Sequence, residues 1–200
     1  MATQTDLPVS DDTPPTSSAP VSPLAAEVAG LRALQANDDH AGALSGAIRL
    51  LEGEPTNRDL LLIAAHSLRM TQRTDEAFAM LDRLAQHHPQ FSQLFLERGL
   101  CHVARRDAPA AISDLRVAVM LNTALLMGWH MLVGLYRMTG DAKSAEVAAK
   151  HVAHLTSVPP PIVQAKVLFG DGEVDEAEMQ IRRFLLEFGD HPEAMRLLAQ

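Results

Sequence analysis

Apolar residues recur along most of the chain with the three- and four-residue spacing of amphipathic helices, and clusters of turn residues interrupt them at regular intervals. The clearest regularity is a small apolar residue that returns after nearly the same interval. It occupies Ala43, Ala77, Ala111, Ala145 and Ala177, of which the first four are evenly spaced and the last comes slightly early. A period of about 34 residues in an alanine-rich chain indicates helix–turn–helix units that stack into a solenoid.

The phase of this repeat predicts five helical pairs, in units at 24–57, 58–91, 92–125, 126–159 and 160–192, with a partial helix over 193–200. The predicted helices are Leu24–Gln35 and Ala41–Leu51, Asp59–Met70 and Thr74–Gln86, Gln93–Ala104 and Pro109–Leu121, Leu125–Met138 and Ala142–Leu155, and Ile162–Phe169 and Val174–Glu187. The fifth unit departs from the regular spacing. Three consecutive prolines, at 159–161, fix the start of its first helix, since proline is tolerated at a helix start but not inside a helix.

A sixth helix is expected from Glu193 through Gln200. Its residues Met195, Leu197 and Leu198 have nothing after them to cover them. Because solenoids normally end in a polar capping helix, this end offers a surface for self-association, or for a segment beyond it.

The composition separates a short tail from the repeat domain. Residues 1–22 are rich in Ser, Thr, Pro and Asp, and such a segment buries too little apolar surface to offset its ordering entropy. We therefore predict a disordered tail over 1–22 and one repeat domain over 23–200. The tail carries Asp6, Asp11 and Asp12 and no basic side chain, which suggests that it could occupy a basic groove in cis.

Charge and hydropathy exclude several functions. A formal net charge of −8, without a basic cluster, argues against nucleic acid as a main partner. The apolar stretch from Ala118 to Tyr136 is interrupted by Asn122 and Thr123, which leaves a piece too short for a membrane span. No secretory signal opens the chain, and a single cysteine, Cys101, fits a reducing compartment, so we expect a cytoplasmic protein without a membrane segment.

The repeats resemble the tetratricopeptide repeat (TPR). The fourth unit carries Trp129, Leu132, Tyr136 and Ala145 at the places of the family pattern, the third Gly99, Ala111 and Ala118, and the second Ala77 and Pro89. Leu81, Leu115, Thr123 and Ser157 depart from it. The resemblance implies an all-α, right-handed superhelical solenoid of antiparallel helix pairs that binds proteins or peptides without catalysis and without a cofactor.

In this family the first helix of each pair lines a concave groove. The matching positions are Arg32, Gln35, Leu62, His66, Arg69, Met70, Gln93, Leu96, Leu100, Met127, His130, Gly134, Arg137 and Met138. The set holds three arginines and no acid, and its methionines offer an adaptable surface, so an acidic or amphipathic peptide is the expected partner. The alternative, that the arginines only solubilise this face, stays open. The lysines and asparagines with which chaperone-binding members clamp a terminal carboxylate are missing here.

A second resemblance covers Pro159 to Ala199. The segments at 172–178 and 191–199 look like the repeats that precede the catalytic domain of bacterial TPR-containing sulfotransferases. This implies an alternative role as the partner-docking portion of such an enzyme. No Gly-rich phosphate loop or Walker motif is present, so the resemblance assigns no catalytic residue.

Other candidate sites have simpler explanations. His151 and His154 share a helix face but lack a third ligand at a suitable spacing, and they suit the negative end of a helix, so no metal is expected. Trp129 and Tyr136 match structural positions of the repeat, which favours a role in the core over a ligand platform.

Overall fold

The computed structural model describes residues 22–199. The predicted disordered tail thus lies outside the described residues except for Ser22, and it stays a prediction. Between residues 22 and 199 every regular element is an α-helix. The helices are α1 (Pro23–Ala36), α2 (His40–Leu51), α3 (Arg58–Met70), α4 (Thr74–His87), α5 (Ser92–Ala104), α6 (Ala108–Leu121), α7 (Leu126–Met138), α8 (Ala142–Thr156), α9 (Pro160–Gly170), α10 (Val174–Phe188) and α11 (Pro192–Leu198).

Consecutive helices pack against each other from α1 to α8, so α2, α4 and α6 each contact the first helix of their own unit and of the next. The first helices α1, α3 and α5 also pack side by side. We use "concave face" for the surface formed by the first helices α1, α3, α5 and α7. The predicted all-α solenoid of helix pairs is confirmed, and the helix boundaries lie close to those predicted from the sequence.

The turns inside the units repeat as strictly as the helices. Each contains one residue in the left-handed region, namely Asp38, Gln72, Arg106, Gly140 and Gly172, with φ between 60° and 86°. These positions follow the spacing of the alanines, because the first four are evenly spaced and the last comes slightly early. An aspartate directly before α2, α6 and α8 caps the N-terminus of that helix. Asp39, for example, accepts a hydrogen bond from the Gly42 N–H at 2.8 Å.

The repeated alanines lie where the two helices of a pair cross. All five are buried, with at most 5% of their surface exposed. Gly99 serves the same close approach in the third unit, because an added Cβ would lie 2.7 Å from Cγ of Leu115. Small residues at these crossings therefore set the distance between paired helices.

The fifth unit leaves the regular stack. Helix α9 packs chiefly against α10 and also against α11, and its contact with α8 is weaker than the contacts between consecutive helices of the earlier units. The core of the fifth unit is an apolar cluster that includes Ile162, Ile181 and Phe184 together with Leu155 of α8. The predicted sixth helix is shorter than expected: α11 ends at Leu198 rather than running through Gln200, which lies outside the described residues. Met195 and Leu198 are exposed, as expected, whereas Leu197, also predicted to be uncovered, is partly buried against the apolar cluster of the fifth unit.

Candidate functional site

The predicted groove residues lie on the first helices, and the structure separates them by exposure. Arg32, Met70, Met127, His130, Gly134, Arg137 and Met138 are exposed, Gln35, Leu62, His66, Arg69, Gln93 and Leu100 are half-buried, and Leu96 is buried. The concave face thus has a more closed part on α3 and α5 and a more open part on α7.

A buried carboxylate on α5 accounts for the closed part. Glu97 lies between α3 and α5, with 7% of its side chain exposed. Its carboxylate accepts a hydrogen bond from the guanidinium of Arg69 and lies 3.3 Å from Nδ1 of His66. Arg69 in turn lies 3.2 Å from the same ring nitrogen. Burial raises the pKa of Glu97, but the hydrogen bond from His66 and the charge of Arg69 outweigh it, so the net pKa is below its ordinary value.

The polar groups of α1 are also engaged with α3. Arg32 forms an ion pair with Asp59 at 3.1 Å. The side-chain amide of Gln35 donates to the carbonyl of Ile63 at 3.1 Å and to the hydroxyl of Ser67 at 2.9 Å. Two of the three predicted groove arginines, Arg32 and Arg69, are therefore neutralised within the protein.

The predicted set of three arginines without an acid has to be corrected, because it omitted Asp59 and Glu97. Glu97 could have been found from the repeat, since the equivalent positions one repeat earlier and one repeat later are the apolar Ile63 and Met131. A single acid at an apolar position indicates a buried partner of opposite charge.

The turn between α9 and α10 covers the N-terminal ends of α3 and α5. The Asp171 carboxylate accepts hydrogen bonds from the hydroxyl of Ser92 and from the Gln93 amide, the latter at 3.4 Å. The Glu173 carboxylate accepts from the guanidinium of Arg58. Gln93, predicted to face a partner, is thus already bound to this turn.

Asn122 fixes the end of α9 beside α7. This buried amide donates to the carbonyl of Val167 at 2.8 Å and accepts from the Ala124 N–H at 3.1 Å. Gly170 is required here, because an added Cβ would lie 2.6–2.8 Å from the Asn122 amide. The fifth unit is therefore held against the earlier units by these polar contacts from loop and helix ends, together with apolar contacts such as that of Val167 with the cluster formed by α5 to α8.

A cavity of about 490 Å³ lies where the fifth unit meets α5 and α7. Its walls are mainly apolar, including Leu96, Leu125, Met127, Val163 and Val167. Its polar contributions are the side chains of Gln93, Thr156 and Gln164. The volume and the apolar walls are within the range of sites that hold a ligand group or the side chains of a partner.

The exposed residues of the concave face are Arg32 on α1, Met70 on α3 and, as the largest group, one stripe of α7. Met127, His130, Gly134, Arg137 and Met138 follow the helical spacing of a single face. Within residues 22–199, no carboxylate pairs with His130 or Arg137, and a Cβ added at Gly134 would meet nothing within 4 Å. Met127 and Met138 are 55% and 70% exposed. This stripe, which we call the α7 stripe, continues into the cavity at Met127.

The other side chains considered in the sequence, Trp129 and Cys101, are engaged in contacts within the fold. The ring of Trp129 stacks on His151 at 3.9 Å and its indole N–H donates to the Thr123 carbonyl at 2.9 Å. Cys101 is buried, and burial, with the charge of Glu97, raises its pKa to about 12. The described part of the chain contains no group of three or more His, Cys, Asp or Glu side chains suited to a metal. None of its helices is both long and apolar enough to cross a bilayer.

Comparison with solved structures identifies the fold. A thermophilic TPR protein from Thermus thermophilus shares 19% identity, with a TM-score of 0.59 over 87% of this chain and 96% of that one. The crystal structure of MamA shares 18% identity, with a TM-score of 0.55 over 80% of this chain and 88% of that one. A chain of the Naa15/Naa10 complex bound to HypK shares 15% identity and a TM-score of 0.59, over 84% of this chain and 26% of that one.

The chain therefore has the tetratricopeptide-repeat fold. No protein-family model matches the sequence, and no curated protein is similar enough to count as a relative. These likenesses lend no support to the predicted resemblance of the C-terminal repeats to sulfotransferases.

Proposed function

We propose that this protein is a non-catalytic scaffold that holds a segment of a partner protein on the α7 stripe and in the adjoining cavity. The fold supports a role in protein interaction, since TPR-fold neighbours include a chain from a complex with HypK. The observation that carries the proposal is that the α7 stripe is open, while Arg32, Arg69 and Gln93 on the other first helices are bound inside the protein.

The chemistry of the stripe suits an amphipathic segment with acidic residues. Exposed methionines adapt to apolar side chains of varied shape. Arg137 lies among them without an ion-pair partner in residues 22–199, so a carboxylate of the bound segment would gain a charge-assisted hydrogen bond. An apolar side chain of the same segment would enter the cavity beside Met127.

Selection of peptides from a displayed random library tests this proposal. Peptides selected on the wild-type protein should bind at least tenfold more weakly to the variants Met127→Glu and Arg137→Glu. Met120→Glu is the matched control, because Met120 is 75% exposed on α6 and lies outside the stripe. Selected peptides that lose affinity only for Met120→Glu, or a failure to select any peptide, would contradict the proposal.

A further inference from the structure

The turn between α9 and α10 places two carboxylates on helix starts that are far away in the sequence. Asp171 contacts Ser92 across 79 residues, and Glu173 contacts Arg58 across 115 residues. Gly172 separates the two acids and has a φ of 86°, a conformation that glycine adopts without strain. The motif that is bound here is therefore acid–glycine–acid in a tight turn.

The receiving side chains are arranged as a binding site for carboxylates. Arg58 and Ser92 are the first residues of α3 and α5, where the helix dipole favours negative charge. The Asn57 side chain already caps two N–H groups of α3, whereas α5 has no side-chain cap. The Arg58 guanidinium lies over the ring of Phe91, 4.6 Å from its centroid, which fixes its plane. Asp59 also approaches Arg58 at 3.4 Å, but it lies closer to Arg32, at 3.1 Å.

Arg58 retains an unused donor in this arrangement. Its Nε atom is buried and has no hydrogen-bond partner in the described range 22–199. Because a buried donor without a partner costs free energy, the bound turn does not satisfy the site completely. A ligand with a better-placed carboxylate would use this donor in addition to the Nη atoms.

The turn is also attached in a way that permits exchange. The apolar cluster of the fifth unit joins α9 and α10 to Leu155 of α8, but it includes none of the three turn residues 171–173. The cavity of about 490 Å³, which is open to solvent, also reaches Gln93. The Glu173 side chain is 36% exposed, so a competing carboxylate can approach its ion pair with Arg58 from solvent.

We propose that Arg58, Ser92 and Gln93 form a carboxylate-binding site, and that the Asp171–Glu173 turn occupies it in place of an acidic segment of a partner protein. The partner segment carries two acidic residues that are separated by one residue in a turn. It displaces the internal turn on binding. This site lies at the ends of α3 and α5, and the proposal stands whether or not the α7 stripe binds a partner.

The experiment uses a fluorescent peptide with the sequence of residues 169–174, Phe-Gly-Asp-Gly-Glu-Val, as the probe. The internal turn competes with it at a high effective concentration, so the wild-type protein should bind it weakly. The double variant Asp171→Asn with Glu173→Gln should bind it at least tenfold more tightly. Asp175→Asn with Glu176→Gln is the matched control, since it removes the same charge from exposed acids of α10 and should bind like wild type.

A third set of variants tests the receiving side chains. Adding Arg58→Gln or Ser92→Ala to the Asp171/Glu173 double variant should reverse the gain in affinity, and circular dichroism should show that helix content is retained. Arg58→Gln and Ser92→Ala are made separately, so that the test can still be read if one of these two variants fails to fold. Equal affinity of the wild-type protein and the double variant, or equal binding of the neutral peptide Phe-Gly-Asn-Gly-Gln-Val, would overturn the proposal.

Discussion

Replacing Glu97 by glutamine tests the buried network between α3 and α5. Glutamine preserves the shape of the side chain and removes the charge that faces Arg69 and His66. Only 7% of the Glu97 side chain and 17% of the Arg69 side chain are exposed, so water replaces the lost partner only in part. Removing one partner of a buried ion pair typically costs about 3–5 kcal/mol, and the partial exposure of Arg69 places this variant near the lower end, about 3 kcal/mol.

A loss of about 3 kcal/mol corresponds to a decrease in Tm of roughly 6–12 °C, because one kcal/mol is worth about 2–4 °C in a domain of this size. Thermal melts followed by circular dichroism measure this decrease. The matched control is Glu146→Gln, which also breaks an ion pair, but on the exposed surface of α8 with Lys150. Little change in Tm is expected for the control. A Glu97→Gln protein that melts within about 2 °C of wild type would refute the reasoning.

The pH dependence provides a second readout of the same variant. The pKa of Glu97 is lower in the folded protein than its ordinary value of 4.5, despite the opposing effect of burial. Its charge therefore contributes stability that is present above pH 4.5 and is lost as the pH falls through the folded pKa. The difference in unfolding free energy between wild type and Glu97→Gln, measured with urea, should shrink below pH 4.5. A difference that stays constant from neutral pH into the acid range would contradict this assignment.

Four further predictions concern other parts of the fold. Ala111→Leu should cost about 1–3 kcal/mol by overpacking the α5–α6 crossing, and a melt no lower than wild type would count against it. Arg106→Gly should raise the unfolding free energy by up to about 1 kcal/mol in urea titrations, since φ is 60° at this residue, and a loss of stability would argue against that turn. Gly170→Val should speed amide hydrogen exchange in α9 by displacing Asn122, and unchanged exchange would contradict the close approach. Because Cys101 is buried and its pKa is about 12, its thiol should react with a thiol reagent at mildly alkaline pH much faster after unfolding than before, and equal rates would contradict the burial.

The architecture could be predicted from the sequence because its determinants are local and repeated. A left-handed turn residue and a buried alanine recur in the same order in every unit, and three units add a capping aspartate between them, so their spacing locates the helices. The turn residues themselves could not be recognised by residue type. Asp38, Gln72 and Arg106 adopt the left-handed conformation although they are not glycines.

The site was less predictable because it depends on contacts between units. The repeat correctly placed Arg69 and Gln93 on first helices, but their partners Glu97 and Asp171 come from a neighbouring helix and from the fifth unit. Nothing in the spacing of a repeat specifies that a later unit folds back on earlier ones. The open α7 stripe is the part of the predicted groove for which no such partner intervenes in residues 22–199.

The contact of the last turn with α3 changes how the protein should unfold. In a simple repeat array each unit interacts only with its neighbours, so the ends can fray independently of the middle. Here the hydrogen bond from Arg58 to Glu173 spans 115 residues and joins the second unit to the fifth. Closing so long a loop has an entropic cost, which slows folding, but once formed it couples the two units. Loosening of α3 and of the fifth unit should therefore be cooperative, in contrast to the sequential fraying of an open array.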